Sequence, residues 1–159
     1  MEIMPIEKLS INFKTLEDFK SFKEYGNQEL QMLDDLKGSI VENDCKHSPF
    51  YGIYYGNKLV ARMSLYHTDK KFDYLFDEKR DYLFLSKLEV LPQYRERGFG
   101  KNLIEFAKSF NLPIITSPRI NSEGFWNRMG FMPFTPITAD VPEKLLVWYP
   151  DHLTENKIN

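Results

Sequence analysis

A short run of cations and glycines is the part of this sequence best suited to bind an anion. It follows an apolar stretch and precedes an amphipathic helical pattern, and it consists of Arg95, Glu96, Arg97, Gly98, Phe99, Gly100 and Lys101. Glycines let neighbouring backbone N–H groups turn toward one point and let an anion approach closely. The helix start adds unpaired N–H groups and the positive end of its dipole. This order predicts a site for a phosphate or pyrophosphate.

The loop by itself does not identify the ligand. A dinucleotide fingerprint needs a third glycine, and a phosphate loop of the nucleotide triphosphatase type needs Ser or Thr where this chain has Asn102. A plain turn from strand to helix with a solvated basic rim would use the same residues. The rest of the chain has to distinguish these alternatives.

Length and composition predict a single compact domain. The chain has 159 residues, of which 42% are hydrophobic and 15% aromatic, so it can build a core of its own. Its 21 basic and 23 acidic residues give a net charge of −2, which does not indicate a nucleic-acid-binding surface. The basic loop is therefore a local feature of a slightly acidic protein.

The residues that could bind metal or direct the chain to a membrane are few. Cys45 is the only cysteine, and His47, His67 and His152 show no tight spacing with acidic residues, so we expect no disulfide and no metal site. Residues 1–5 lack the basic and apolar regions of a signal peptide, and no apolar run reaches membrane-spanning length. We expect a cytoplasmic protein with no membrane or nucleic-acid partner.

Hydrophobic periodicity predicts alternating strands and helices around the loop. Residues 68–81 are mostly charged and predict a solvated loop, with a lid as the alternative. The predicted elements are a strand over 9–13, a helix from Leu16 capped by Thr15, a helix from Asn27 to about Asn43, a hairpin of strands 51–55 and 58–66 about Gly56-Asn57, a strand ending before Pro92, a helix after the loop, a strand over 113–116, a short helix over 121–129 ended by Gly130, and strands over 131–137 and 145–149.

Two segments together resemble one protein family. Arg95 to Gly100 resembles the Arg/Gln-x-x-Gly-x-Gly/Ala motif of the GNAT superfamily of N-acetyltransferases, and Leu88-Glu89-Val90-Leu91-Pro92 is similar to that family's fourth strand. Residues 121–131 resemble its second signature, which usually ends in Tyr-x-x-x-Gly-Phe. The resemblance implies one N-acetyltransferase domain over residues 1–159. The implied fold is α/β, with a mixed, mostly antiparallel central sheet and helices on both faces.

The resemblance also implies a cosubstrate, acetyl-CoA, and an amine acceptor. The pantetheine arm would pair with the backbone of Leu88 and Val90, and the pyrophosphate would meet the amides of residues 95–101. Asn121, Trp126 and Asn127 of the second signature would lie beside the coenzyme. The sequence does not specify the acceptor, and it is compatible with a homo-oligomer.

The catalytic groups are less well specified than the coenzyme site. Trp126 occupies the position where many family members have a tyrosine acid, and an indole is only a donor, so we expect Trp126 to be a packing residue. Glu89 and Ser86 are the candidates for handling the amine proton. Strand alternation places Glu89 on the face opposite Ser86, where it would pair with Lys87 or Arg62 unless a bulge changes the parity.

Two other functions are compatible with these residues. A non-catalytic acyl-CoA binding or sensing domain would explain Trp126 and the unclear base. A phosphate-binding module unrelated to coenzyme A would explain the glycine loop, although it leaves residues 121–131 without a role.

Overall fold

The computed structural model describes residues 5–10, 13–22, 48–68, 81–118, 123–133 and 145–151. Within these ranges the chain forms a seven-stranded sheet in the order β1-β2-β3-β4-β5-β7-β6. The elements are β1 Glu7–Lys8, α1 Phe13–Phe19, β2 Phe50–Tyr55, β3 Lys58–Thr68, β4 Tyr82–Val90, a 3₁₀ turn Pro92–Tyr94, α2 Phe99–Lys108, β5 Ile114–Thr116, α3 Glu123–Arg128, β6 Met132–Pro133 and β7 Leu146–Trp148.

The sheet is mixed and mostly antiparallel, which confirms the predicted fold class. β4 pairs with β5 in parallel, with Leu83 opposite Ile114, while β1–β2, β2–β3, β5–β7 and β6–β7 are antiparallel. A parallel pair needs a crossover connection, and here the chain between β4 and β5 contains the glycine loop and α2. The loop therefore lies where a strand end leads directly into a helix.

The first of two compact units contains Met1–Leu65 and Lys87–Leu103. Its core joins α1 to the first strands through aromatic side chains. The Phe19 ring lies edge-on to Phe50 at 5.2 Å and to Phe22 at 6.4 Å. The buried cluster consists of Leu9, Phe19, Phe22, Phe50, Leu59 and Leu91.

A polar contact also fastens α1 to β2. The Tyr54 hydroxyl donates to Asp18 Oδ2 at 2.7 Å, and Lys14 Nζ donates to the Tyr54 oxygen at 3.0 Å. Burial raises the pKa of Tyr54; the hydrogen bond from Lys14 opposes this shift, and the hydrogen bond to Asp18 adds to it. The hydroxyl therefore stays protonated and keeps donating near neutral pH.

The predictions for the N-terminal segment were wrong in position. The first strand is Glu7–Lys8 rather than residues 9–13, and α1 begins at Phe13 rather than Leu16. Thr15 is consequently buried inside the helix and is not its N-cap. Five residues of alternation cannot distinguish a strand from the first turn of a helix. Leu9, after the strand, and Phe19, at the end of α1, both pack in the buried core cluster.

The predicted hairpin is confirmed, with β2 and β3 joined at Gly56 and Asn57. Gly56 has a φ of +66°, a conformation that costs glycine little. The register shifts between Ile53 and Tyr54, so a bulge interrupts the ladder just before the turn. The tip of this hairpin carries Tyr55 and Lys58.

The second unit contains Tyr66–Ser86 and Ile104–Asn159. Tyr82, Ile115, Leu145 and Val147 form a buried cluster there. The strands predicted over 113–116 and 145–149 are confirmed with slightly shorter bounds, and Gly130 ends α3 with a φ of +87°.

Several predictions concern residues outside the described ranges. These are the second helix over 27–43, the charged segment over 69–80 and the strand beyond residue 133. Within the described ranges, no helix is long and apolar enough to cross a membrane. A search of the same ranges finds no group of three or more His, Cys, Asp or Glu side chains that could hold a metal ion.

Candidate functional site

Two residues of the glycine loop take a left-handed backbone conformation. Glu96 has a φ of +65° and Gly98 a φ of +87°, while Arg97 between them is not in the left-handed region. Left-handed residues of this kind occur in the anion-binding nests that backbone N–H groups form, and the segment Glu96–Gly98 is called the nest below. A left-handed conformation costs a residue such as Glu96 about 1–2 kcal/mol. Strain of this kind is typical of functional loops.

The start of α2 adds further donors to this nest. Asn102 N–H donates to Gly98 O at 2.9 Å, so the helical hydrogen bonds begin with the Gly98 carbonyl. The first four N–H groups of a helix have no acceptor within it, and here they belong to residues 98–101. Phe99 is buried and anchors the first turn, while Gly100 next to it has no side chain to cover the N–H groups. The loop and helix start together are rich in backbone N–H donors of the kind that bind anions.

The two arginines of the loop have different partners in the structure, and the sequence does not predict this difference. Arg95 Nε donates to Val90 O at 3.1 Å, so this side chain ties the loop back to the end of β4. The Arg97 guanidinium carbon lies 5.1 Å from the centre of the Tyr94 ring. Both arginines are exposed, as are Glu96 and Lys101. Tyr94 is absent from the residues that the sequence pattern singled out.

β4 presents the predicted pantetheine-binding and catalytic residues on alternating sides. Ser86, Leu88 and Val90 share one parity, while Lys87 and Glu89 share the other. All five are half-buried, and the Oε1 atom of Glu89 is buried. The strand therefore does not bring Ser86 and Glu89 to one face.

Arg62 on β3 is the most deeply buried charged side chain in the described ranges, with 0% of its surface exposed. Its guanidinium carbon lies 4.8 Å from the Phe19 ring centre and 5.9 Å from that of Phe50. Arg62 Nη2 also donates to Ser64 Oγ. A guanidinium can stack on aromatic faces in this way, but its charge still needs a counter-charge when buried.

The second signature forms α3 and the turn after it. The Trp126 side chain is 5% exposed and lies 5.2 Å from the Phe125 ring and 5.1 Å from the Phe131 ring. Phe131 N–H donates to Trp126 O at 3.0 Å, which closes the turn. Asn127 is exposed, and Asn121 lies outside the described ranges. The indole is thus embedded in an aromatic cluster of the second unit.

Lys108 fastens the end of α3, a role with no signal in the sequence. Its Nζ donates to Met129 O at 2.6 Å and lies 5.2 Å from the Trp148 ring centre. The Met129 carbonyl is one of the acceptors that a helix end leaves without an internal partner. Lys108, at the end of α2, therefore supplies a hydrogen-bond donor to a backbone carbonyl at the end of α3.

This combination of sheet, loop and helix places the chain in a known class of enzymes. The sequence model described as the Acetyltransferase (GNAT) family matches residues 13–131, and the chain belongs to this family. An uncharacterised N-acetyltransferase of Oceanobacillus iheyensis is 56% identical over 156 residues, covering 98% of this chain and 97% of the relative.

Solved structures agree with this assignment. The Bacillus subtilis N-acetyltransferase YlbP in complex with coenzyme A is 53% identical, with a TM-score of 0.79 over 93% of this chain and 97% of that chain. The PaiA N-acetyltransferase of Thermoplasma acidophilum, in complex with coenzyme A, shares the fold at 17% identity, with a TM-score of 0.55 over 94% of this chain and 99% of that chain. The family resemblance inferred from two short motifs is confirmed.

Proposed function

We propose that this protein transfers an acetyl group from acetyl-CoA to a primary amine. The observation that carries the proposal is the nest at Glu96–Gly98 leading directly into the start of α2. Its N–H groups and those at the start of α2 suit the pyrophosphate of coenzyme A, and the loop lies within the region that matches the acetyltransferase family. The complex of YlbP with coenzyme A supports the same ligand here.

The pantetheine arm extends along β4 in this proposal. Its amides pair with the backbone of Leu88 and Val90, as an added strand would. The Val90 carbonyl already accepts from Arg95, but a carbonyl oxygen has two lone pairs and can accept a second bond. Asn121, Trp126 and Asn127 remain predicted coenzyme contacts.

The chemistry requires little beyond position and proton transfer. The neutral amine attacks the thioester carbonyl carbon, and the carbon–sulfur bond breaks. The attacking nitrogen gives up a proton, and the departing thiolate takes one. After the attack and before the carbon–sulfur bond breaks, the carbonyl oxygen carries a negative charge, which a donor, often a backbone N–H, stabilises. Because a protonated amine cannot attack, a base or an ordered water has to accept its proton.

The register of β3 on β4 supports Ser86, rather than Glu89, as the group that assists the amine. Leu91 N–H donates to Val60 O at 2.9 Å. In an antiparallel ladder this bond makes Val60 and Leu91 direct partners, and two residues further along Arg62 lies opposite Glu89. A similar bond, Leu65 N–H to Pro49 O, continues the known register of β2 on β3.

Glu89 is then the counter-charge of Arg62 on the face that carries α1. Ser86 has the opposite parity, shared with Leu88 and Val90, so its hydroxyl can hold a water near the acceptor amine. Ser86→Ala should lower kcat while leaving the affinity for coenzyme A unchanged. An unchanged kcat in this variant would remove Ser86 from the mechanism.

The proposal is tested by turnover of acetyl-CoA with a panel of primary amines, together with calorimetry of coenzyme A binding. Gly98→Val should abolish binding because a β-branched residue is strained at a positive φ and fills the phosphate cradle. Gly56→Val is the matched control, since Gly56 also has a positive φ but has open space around its Cβ position. Undiminished coenzyme A affinity in a folded Gly98→Val protein would refute the site.

A second candidate function is a non-catalytic acyl-CoA binding domain. It is favoured by Trp126, which replaces a tyrosine that many family members have and cannot protonate a thiolate. Binding of acetyl-CoA without turnover of any amine would support this alternative. Equal competition by coenzyme A and ATP would instead support a general phosphate site.

A further inference from the structure

An aromatic surface adjoins the glycine loop and involves residues outside the family motif. The Tyr94 ring, in the 3₁₀ turn before the loop, lies 5.7 Å from the Tyr55 ring at the tip of the hairpin. Two cations face Tyr94: the Arg97 guanidinium carbon at 5.1 Å and Lys58 Nζ at 5.9 Å from the ring centre. Tyr55 is 52% exposed, so the cluster is open to solvent on its outer side.

The Tyr94 ring is held from beneath by the core of the first unit. It is half-buried and packs against the buried cluster that contains Leu59 and Leu91. Tyr94 N–H donates to Leu91 O at 2.9 Å, and Leu91 N–H donates to Val60 O at 2.9 Å. The ring is therefore fixed by the hairpin and the turn, while Arg97 beside it is an exposed side chain.

We propose that Tyr94 is a positioning residue that holds the Arg97 guanidinium beside the nest before coenzyme A arrives. The inference rests on the proposed function. A guanidinium stacked by its face still presents N–H groups at its edge for phosphate oxygens. An unrestrained arginine would lose its rotamer freedom on binding, and prior ordering by the ring reduces that loss. Lys58 adds a second positive charge to the same surface.

The test compares coenzyme A with pantetheine, which lacks the phosphates, in calorimetric titrations of the full chain. Tyr94→Leu should weaken coenzyme A about two- to fivefold, the value of an exposed cation–π contact, and leave pantetheine unchanged. Tyr94→Phe keeps the ring face and should bind both ligands as the wild type does. A Tyr94→Leu protein that is folded and binds coenzyme A with wild-type affinity would overturn the inference.

A double-mutant cycle separates positioning from a general structural role. In an Arg97→Ala background, Tyr94→Leu should cause no further loss of coenzyme A affinity, since the positioned group is already gone. An equal loss in both backgrounds would show that Tyr94 acts through folding instead.

A nuclear magnetic resonance measurement does not depend on any Tyr94 variant folding. The ring resonances of Tyr94 should shift in Arg97→Ala and again when the wild type is titrated with coenzyme A. Unchanged ring resonances in both experiments would refute the contact. Wild-type protein that fails to bind coenzyme A would refute the proposed function itself, whereas wild-type binding that Gly98→Val abolishes and Tyr94→Leu does not affect would refute only this inference.

Discussion

Removing the charge of Glu89 should destabilise the protein without the large loss of kcat expected for a catalytic base. In the proposed register, Glu89→Gln removes the negative charge opposite the buried Arg62 guanidinium. Breaking a buried ion pair costs about 3–5 kcal/mol. Arg62 is 0% exposed, but Glu89 is only half-buried and Phe19 still stacks on the guanidinium, so we expect the lower end, about 3 kcal/mol.

The assay is urea unfolding of four proteins: wild type, Glu89→Gln, Arg62→Met and the double variant. The two single changes should not add, because each removes the same interaction, and the coupling should be about 2–3 kcal/mol. Acetyl-CoA turnover is measured on each protein at a temperature where it remains folded. A general base would show a fall in kcat of about 10²–10⁴-fold on Glu89→Gln.

Lys87→Met is the matched control. Lys87 lies on β4 with the parity of Glu89, and the sequence offered it, besides Arg62 on β3, as a partner for Glu89. It should change stability by about 1 kcal/mol or less and show little coupling to Glu89→Gln. Strong coupling to Lys87 would assign the counter-charge to that residue. A large fall in kcat with stability unchanged would refute the reasoning entirely and make Glu89 the base.

Three further predictions follow from the site. Trp126→Phe should keep most activity because Phe preserves the packing on Phe131, and Trp126→Tyr should raise the turnover rate if thiolate protonation limits it. Lys108→Met should lower the free energy of unfolding by about 2 kcal/mol through loss of the charge-assisted bond to Met129 O, measured by urea unfolding. Arg97→Ala should weaken coenzyme A by at most about 3 kcal/mol, and pantetheine much less, in calorimetric titrations.

Each of these has its own control or contrary outcome. Collapse of activity in Trp126→Phe, with coenzyme A affinity intact, would give the indole N–H a catalytic role. Glu105→Gln removes only the 3.8 Å ion pair of Lys108 with the exposed Glu105 and should cost about 0.5 kcal/mol. Equal effects of Glu105→Gln and Lys108→Met would contradict a stabilising bond from Lys108 to Met129 O. Equal weakening of coenzyme A and pantetheine by Arg97→Ala would mean that the arginine acts through folding.

Local signals in the sequence were sufficient for the loop, its helix and the hairpin. The sequence predicted turns at Gly56, Gly98 and Gly130 because glycine adopts a positive φ at little cost. All three residues have a positive φ in the structure. The apolar spacing after Gly100 predicted α2 because a helix shows its buried face every three or four residues. These features depend on residues that are close together in the chain, so the sequence alone is enough to predict them.

Only the tertiary structure decided which distant groups meet. The predicted bounds of the first strand and of α1 were wrong, because a short alternating pattern does not show that Leu9 and Phe19 pack in one core cluster. The sequence offered both Lys87 and Arg62 as partners for Glu89, and a choice between them needs the register of β3 on β4. The contact between Tyr94 and Arg97 depends on how the hairpin packs against the 3₁₀ turn. Side-chain partners across strands depend on register and packing, which join residues far apart in the chain.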